Sequence, residues 1–139
     1  MCGITGFINL NDKPADLSIL KSMTDSISHR GPDGEGHWVY DNIAIGHRRL
    51  SIIDLSDAGS QPMISSDGRY ILSYNGEIYN FKDIRQELER LNYSFRSDTD
   101  SEVVLYALVQ WGKDALLKFN GMFAFAFWDN HKKEMLLAR

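Results

Sequence analysis

Two hydrophobic periods alternate along this chain, and the switches between them mark out its elements. Residues 2–9 (CGITGFIN) read as a buried strand whose glycines let another backbone come close. The period then lengthens. Asp16 is placed to cap a helix over 17–28, with Leu20, Met23 and Ile27 on one face. Residues 29–36 (HRGPDGEG) are rich in Gly and Pro and read as a loop. Strands over 37–40 and 43–49 follow, joined by Asp41-Asn42, a pair that accepts left-handed turn geometry. Residues 54–68 read as a long irregular connection, and 70–74 (YILSY) as a strand ended by the turn dipeptide Asn75-Gly76. Asn80 is placed to cap a helix over 81–91, striped by Ile84, Leu88 and Leu91. Thr99-x-x-Glu102 has the form of a capping box and opens a helix over 100–111, with Val104, Leu108 and Trp111 on one side. A short helix over 113–118 precedes the aromatic-rich strand 119–129, where Phe123, Phe125 and Phe127 read as core rather than as a ligand platform. Residues 133–139 begin another strand that stops without a turn or cap, so the chain is expected to be part of a longer protein.

Composition narrows the class. The length of 139 residues fits one domain, and 43% hydrophobic with 24% charged residues is ordinary for a globular fold. A net charge of −4 leaves no basic surplus for nucleic acid. The longest apolar run, 122–128, is far short of the ~20 residues a membrane helix needs, and with no basic region leading into an apolar stretch in its first residues no signal peptide is expected. No membrane partner is expected. One cysteine cannot form an internal disulfide, which suits the reducing cytoplasm. His29, His37, His47 and His131 lack paired ligand spacing, and Asp98-x-Asp100-x-Glu102 lacks the Gly and distal Glu of a calcium loop. No bound metal is expected. The glycines of 31–36 do not match a dinucleotide or phosphate-loop fingerprint.

The single cysteine, Cys2, follows Met1. Removing Met1 would put a thiol nucleophile and an α-amine on one residue, and such an amine has a pKa of roughly 7.7–8.0, close to the optimum for a general base. Four segments stand out with it: Met1-Cys2-Gly3-Ile4; Ser28-His29-Arg30-Gly31-Pro32-Asp33-Gly34; Gly46-His47-Arg48-Arg49-Leu50-Ser51-Ile52; and Tyr74-Asn75-Gly76-Glu77-Ile78-Tyr79-Asn80, followed by Ser97-Asp98-Thr99-Asp100-Ser101-Glu102.

In that order these motifs resemble the glutaminase domain of class II glutamine amidotransferases, which are N-terminal-nucleophile hydrolases. Within that class the chain looks most like the asparagine synthetases, because Pro-Asp follows the Gly of HRGPD. The resemblance implies an α+β fold, a four-layer αββα sandwich of antiparallel sheets, truncated here. It implies that 1–139 is a glutaminase domain incomplete at its C-terminus, with the synthetase domain absent. The implied reaction is hydrolysis of L-glutamine to glutamate and ammonia. In the parent enzyme the ammonia would serve ATP-dependent conversion of aspartate to asparagine. The glutaminase step would need no cofactor; ATP and Mg2+ would belong to the missing C-terminal synthetase domain. That domain and L-glutamine are the expected partners, with a homodimer left open.

The resemblance also carries residue roles. Cys2 matches the nucleophile, and Asn75 with the backbone N–H of Gly76 matches the oxyanion hole. Arg49 matches the clamp on the substrate carboxylate, while Glu77 and Asp100 match the groups that hold its ammonium. The backbone of Leu50, Ser51, Ile52 and Ile53 resembles the pocket wall. HRGPD is expected to shape a loop beside the site, with no chemical role evident for His29 or Arg30.

Taken singly, each residue has a plainer reading. Cys2 would be a small buried hydrophobe, Arg49 a surface cation and Asn75-Gly76 a hairpin turn. Glu77 would be a solvated charge and Asp100 a first-turn carboxylate favoured by the helix dipole. The ordered set of motifs favours the site. Two alternatives stay beside it: a related amidotransferase serving another carboxylate or sugar acceptor, and a non-catalytic glutamine-binding fragment.

Overall fold

A computed structural model describes residues 2–50 and 59–139. Three strands form the first antiparallel sheet: β1 (Gly3–Ile8), β2 (Gly34–Tyr40) and β3 (Ile43–Arg49), in the order β1-β3-β2. Four more form the second: β4 (Met63–Ile64), β5 (Tyr70–Ile78), β6 (Gly121–Asp129) and β7 (Glu134–Ala138), in sequence order. Helix α1 (Leu17–Ser26) lies between β1 and β2 in the chain; α2 (Phe81–Arg90) and α3 (Asp100–Trp111) lie between β5 and β6. Helix α1 covers the outer face of the first sheet, and α2 with α3 cover that of the second. This is the αββα layering implied by the motifs.

Strand alternation builds the layers. On β3, Ile43, Ile45 and His47 face the second sheet, where Ile43 and Ile45 pack with Ile71 and Trp128. Ala44, Gly46 and Arg48 face α1, and a Cβ on Gly46 would stand 2.5 Å from Thr24 Cγ2. Arg48 donates to the Thr24 carbonyl at 3.0 Å and pairs with Asp25 and Glu35. Arg48 is therefore spent on holding α1, while its neighbour Arg49 points the other way. The larger core lies between the second sheet and its helices, with Leu72, Tyr74, Ile78, Leu88, Val104, Leu108, Phe125 and Phe127 at its centre. Helix α3 is buried over most of its circumference, from Asp100 to Leu108, rather than on one side.

Several local expectations hold. Asp16 caps α1 by accepting from the Ser18 amide at 2.7 Å, and Asp41 takes a φ of 48° in the turn between β2 and β3. The short helix after α3 is a 3₁₀ segment, Gly112–Leu117. Phe125 and Phe127 are buried and Phe123 packs on the same core.

Other expectations are corrected. Asn75-Gly76 is not a turn: β5 runs through it to Ile78, with Asn75 opposite Ala124 and Gly76 opposite Phe123. Strand β2 begins at Gly34, opposite Arg49, which leaves less of HRGPDGEG as loop. Within the connection read as irregular, Met63 and Ile64 form β4; residues 54–58 lie outside the described residues. Asn80 stands at the start of α2 without capping it, because its side chain donates to the Lys118 carbonyl and accepts from the Asn120 amide, both at 2.9 Å. Leu91 ends α2 exposed rather than completing its buried stripe. Half of the capping box forms: Thr99 Oγ1 accepts from the Glu102 amide at 3.4 Å. The Glu102 carboxylate instead reaches the Arg96 and Ser97 amides at 2.8–3.0 Å.

At Gly76 the backbones come close. A Cβ there would stand 2.4 Å from the Met122 carbonyl oxygen and 2.6 Å from Phe123 Cα. Backbone atoms in a paired strand have little room to yield. Gly76→Ala is therefore expected to part β5 from β6 locally and to cost about 1–3 kcal/mol, the range for overpacking. Urea unfolding of the two chains measures this; an unchanged midpoint would show that the strands separate freely.

Candidate active site

Cys2 stands directly before β1 and is half-buried. Its sulfur accepts a hydrogen bond from the Leu50 amide at 3.3 Å and lies 3.7 Å from the Leu50 carbonyl oxygen. The candidate nucleophile is thus fixed against the residue that follows Arg49. The antiparallel pairing of β1 with β3 causes this, since Gly3 is opposite Arg48.

HRGPD braces the same corner. Arg30 Nη2 donates to the Cys2 carbonyl at 3.4 Å, and the Asp33 amide donates to the Arg49 carbonyl at 3.0 Å. A Cβ on Gly31 would stand 2.4 Å from the Arg48 carbonyl carbon, so only glycine lets this loop lie on the β3 backbone. Sequence alone gives Arg30 no role. The motif's length was a signal, but its partner sits 28 residues away.

Arg49, half-buried at the end of β3, extends its guanidinium over Gly59. A Cβ built on Gly59 would stand 2.7 Å from Arg49 Nη2 and 3.3 Å from Thr99 Cγ2. The guanidinium therefore lies toward Thr99, the cap of α3. Asp100 is buried, and its Oδ2 accepts from the Tyr74 hydroxyl at 2.8 Å and the Ile78 amide at 3.0 Å. Asn75 is half-buried; Gly76 and Glu77 are exposed on the same strand. Ser51, Ile52 and Ile53 lie outside the described residues.

The Tyr74 phenol responds to several of these groups. Burial first, and then the negative charge of Asp100, hold its phenol far above the usual range. Glu77 and Cys2 push the same way. One phenol thus lies within electrostatic reach of Asp100, Glu77 and Cys2. Within YILSY, Tyr74 reads only as a strand aromatic.

Behind the strand, His47 is fully buried, and its Nε2 lies 3.1 Å from the Tyr74 carbonyl oxygen. Burial, reinforced by the positive charge of Arg49 and opposed by the Tyr74 bond, lowers its pKa from 6.5 to about 4. The unfolded chain takes up this proton near pH 6.5, whereas the folded chain refuses it until about pH 4. The neutral form's contribution is complete above pH 6.5 and is lost as pH falls through 4, amounting to roughly 3 kcal/mol. Denaturant titrations at a series of pH values should show this slope, and His47→Gln should flatten it. Among the described residues no group of three His, Cys, Asp or Glu side chains is placed to hold a metal ion, and no helix is long and apolar enough to cross a membrane.

The chain resembles known proteins along its whole length. The chain is 37% identical over 142 residues to the glutamine-hydrolysing asparagine synthetase 3 of Bacillus subtilis, covering 100% of this chain and 23% of that protein. It is 36% identical over 140 residues to the glutamine-hydrolysing asparagine synthetase B of Escherichia coli, covering 100% of this chain and 25% of that protein. The chain spans about a quarter of the length of these curated relatives. Its fold matches the glutamine phosphoribosylpyrophosphate amidotransferase of B. subtilis with a TM-score of 0.79 at 21% identity, covering 99% of this chain and 37% of that one. The model of the glutamine amidotransferase domain matches residues 1–139, and the chain belongs to that family, in the form shared with glutamine-hydrolysing asparagine synthetases.

Proposed function

We propose that this chain hydrolyses L-glutamine to glutamate and ammonia, with Cys2 as the nucleophile. The observation that carries the reading is the bond from the Leu50 amide to the Cys2 sulfur, which holds the thiol one residue from Arg49. Once Met1 is removed, the α-amine of Cys2 takes the thiol proton and the sulfur attacks the side-chain amide carbon. The Asn75 side-chain amide and the Gly76 N–H receive the developing oxyanion. The amine returns its proton to the leaving nitrogen, ammonia departs, and water hydrolyses the glutamyl thioester.

Substrate choice follows from charge. Arg49 binds the α-carboxylate through its planar fork, and Asp100 with Glu77 binds the α-ammonium. Leu50 supplies part of the wall, to which the motif resemblance also assigns Ser51, Ile52 and Ile53. The step uses groups of Cys2 and two hydrogen-bond donors, and calls for no cofactor. The extra length of the relatives supports a further reading, in which 1–139 is the glutaminase part of a longer synthetase. There the ammonia would meet an aspartate activated with ATP and Mg2+ in a separate domain. A cysteine that must stay a free thiol suits the cytoplasm.

Intact-mass spectrometry tests the proposal directly. The purified chain is incubated with 6-diazo-5-oxo-L-norleucine, a glutamine analogue that alkylates such nucleophiles. The expected result is loss of Met1 and one adduct on Cys2, blocked by excess glutamine. A correctly processed, folded chain that takes no adduct would overturn the reading.

A further inference from the structure

We propose that His47 is a positioning residue for the oxyanion hole, which it sets by donating its Nε2–H across the two sheets to the Tyr74 carbonyl. The inference rests on the glutamine-hydrolysis reading above and names a residue that reading does not use.

A carbonyl oxygen only accepts hydrogen bonds, so the 3.1 Å contact requires the proton on Nε2. His47 Nδ1 is then an acceptor, and it makes no hydrogen bond among the described residues. An apolar side chain would fill the same buried space without that penalty. The imidazole is therefore a costly choice for the core, and what it supplies is one directed bond.

That bond falls on a particular peptide unit. The Tyr74 carbonyl and the Asn75 amide share one rigid plane, so holding the oxygen fixes the entry to Asn75. The preceding peptide is held as well, because the Tyr74 amide donates to Gln61 Oε1 at 2.5 Å. The Tyr74 hydroxyl is tied to Asp100. Asn75 is thus presented from a residue pinned at its nitrogen, its oxygen and its side chain. His47 also lies two residues before Arg49 on β3, so both share a strand face. One bond thereby spans from the strand with the carboxylate clamp to the strand with the oxyanion hole. It sets their separation, and with it the length of substrate that reaches both.

Two substitutions in the full chain test this. His47→Gln keeps a donor near the position of Nε2; His47→Leu removes it. Glutaminase kinetics on the leucine variant should show kcat lowered about 30- to 100-fold with KM for glutamine changed less than about 3-fold. The glutamine variant should recover kcat to within about 5-fold of the parent. A leucine variant with parental kcat overturns the proposal. So do parallel losses in both variants that track their thermal stability, since these mark a purely structural histidine. Imidazole 15N spectra of the unsubstituted chain add a readout independent of activity and of variant folding. An Nε2–H tautomer at neutral pH is expected; an Nδ1–H tautomer or an imidazolium overturns the assignment. An unsubstituted chain that neither turns over glutamine nor labels at Cys2 would instead refute the glutaminase reading, leaving those spectra to judge the His47 bond alone.

Discussion

Cys2→Ala is expected to abolish glutamine turnover, by at least about 10⁴-fold, and to remove the diazo-oxo-norleucine adduct, while the chain stays folded. The size follows from the role: no other thiol exists in the chain, and losing the nucleophile of a coupled catalytic unit removes nearly all of its rate advantage. Survival of the fold follows from the surroundings. Cys2 is only half-buried, its side-chain bonds run to Leu50, and the β1–β3 ladder begins at Gly3. Loss of that contact should cost no more than about 1 kcal/mol. Turnover that persists in the alanine variant would move the chemistry to another residue. Unfolding of the variant would give Cys2 a structural task that its half-exposed setting does not suggest.

The second large effect is expected at Asn75. Asn75→Ala should lower kcat by about 10²–10³-fold, the usual result of deleting one oxyanion donor. KM for glutamine should change little, because Arg49, Glu77 and Asp100 still hold the amino-acid end. Asn75 is half-buried and is not part of either hydrophobic cluster, so its truncation leaves both cores intact. Steady-state kinetics with a thermal-unfolding control decide the matter. A rise in KM at constant kcat would make Asn75 a binding residue and leave the oxyanion to other donors.

What was legible in the sequence was legible for local reasons. Asp16, Thr99 and Asp41 act on amides and dihedrals within a few residues, and local composition announces them. Asn75-Gly76 misled because the same dipeptide that favours a turn is also tolerated in a strand. Pairing with Ala124 and Phe123, almost fifty residues on, decided between them. Asn80 resembled a cap until the segment after α3 claimed its side chain. The site divides along the same line. Cys2, Arg49, Asn75, Gly76, Glu77 and Asp100 were visible as motif members. Arg30, His47 and Tyr74 stood in the same motifs without a legible role, and Gly59 stood outside them, because each acts on a residue that only the folded chain brings near.

The division of labour between Arg48 and Arg49 constrains how the gene can change in length. Both side chains are the same chemical group, and only the parity of β3 sends one to α1 and the other toward Gly59 and the cap of α3. Deleting one codon between Ile43 and His47 would exchange their directions while leaving both arginines present. A library of single-codon insertions and deletions should therefore find β3 intolerant at every position. Changes of two codons would return each arginine to its own side.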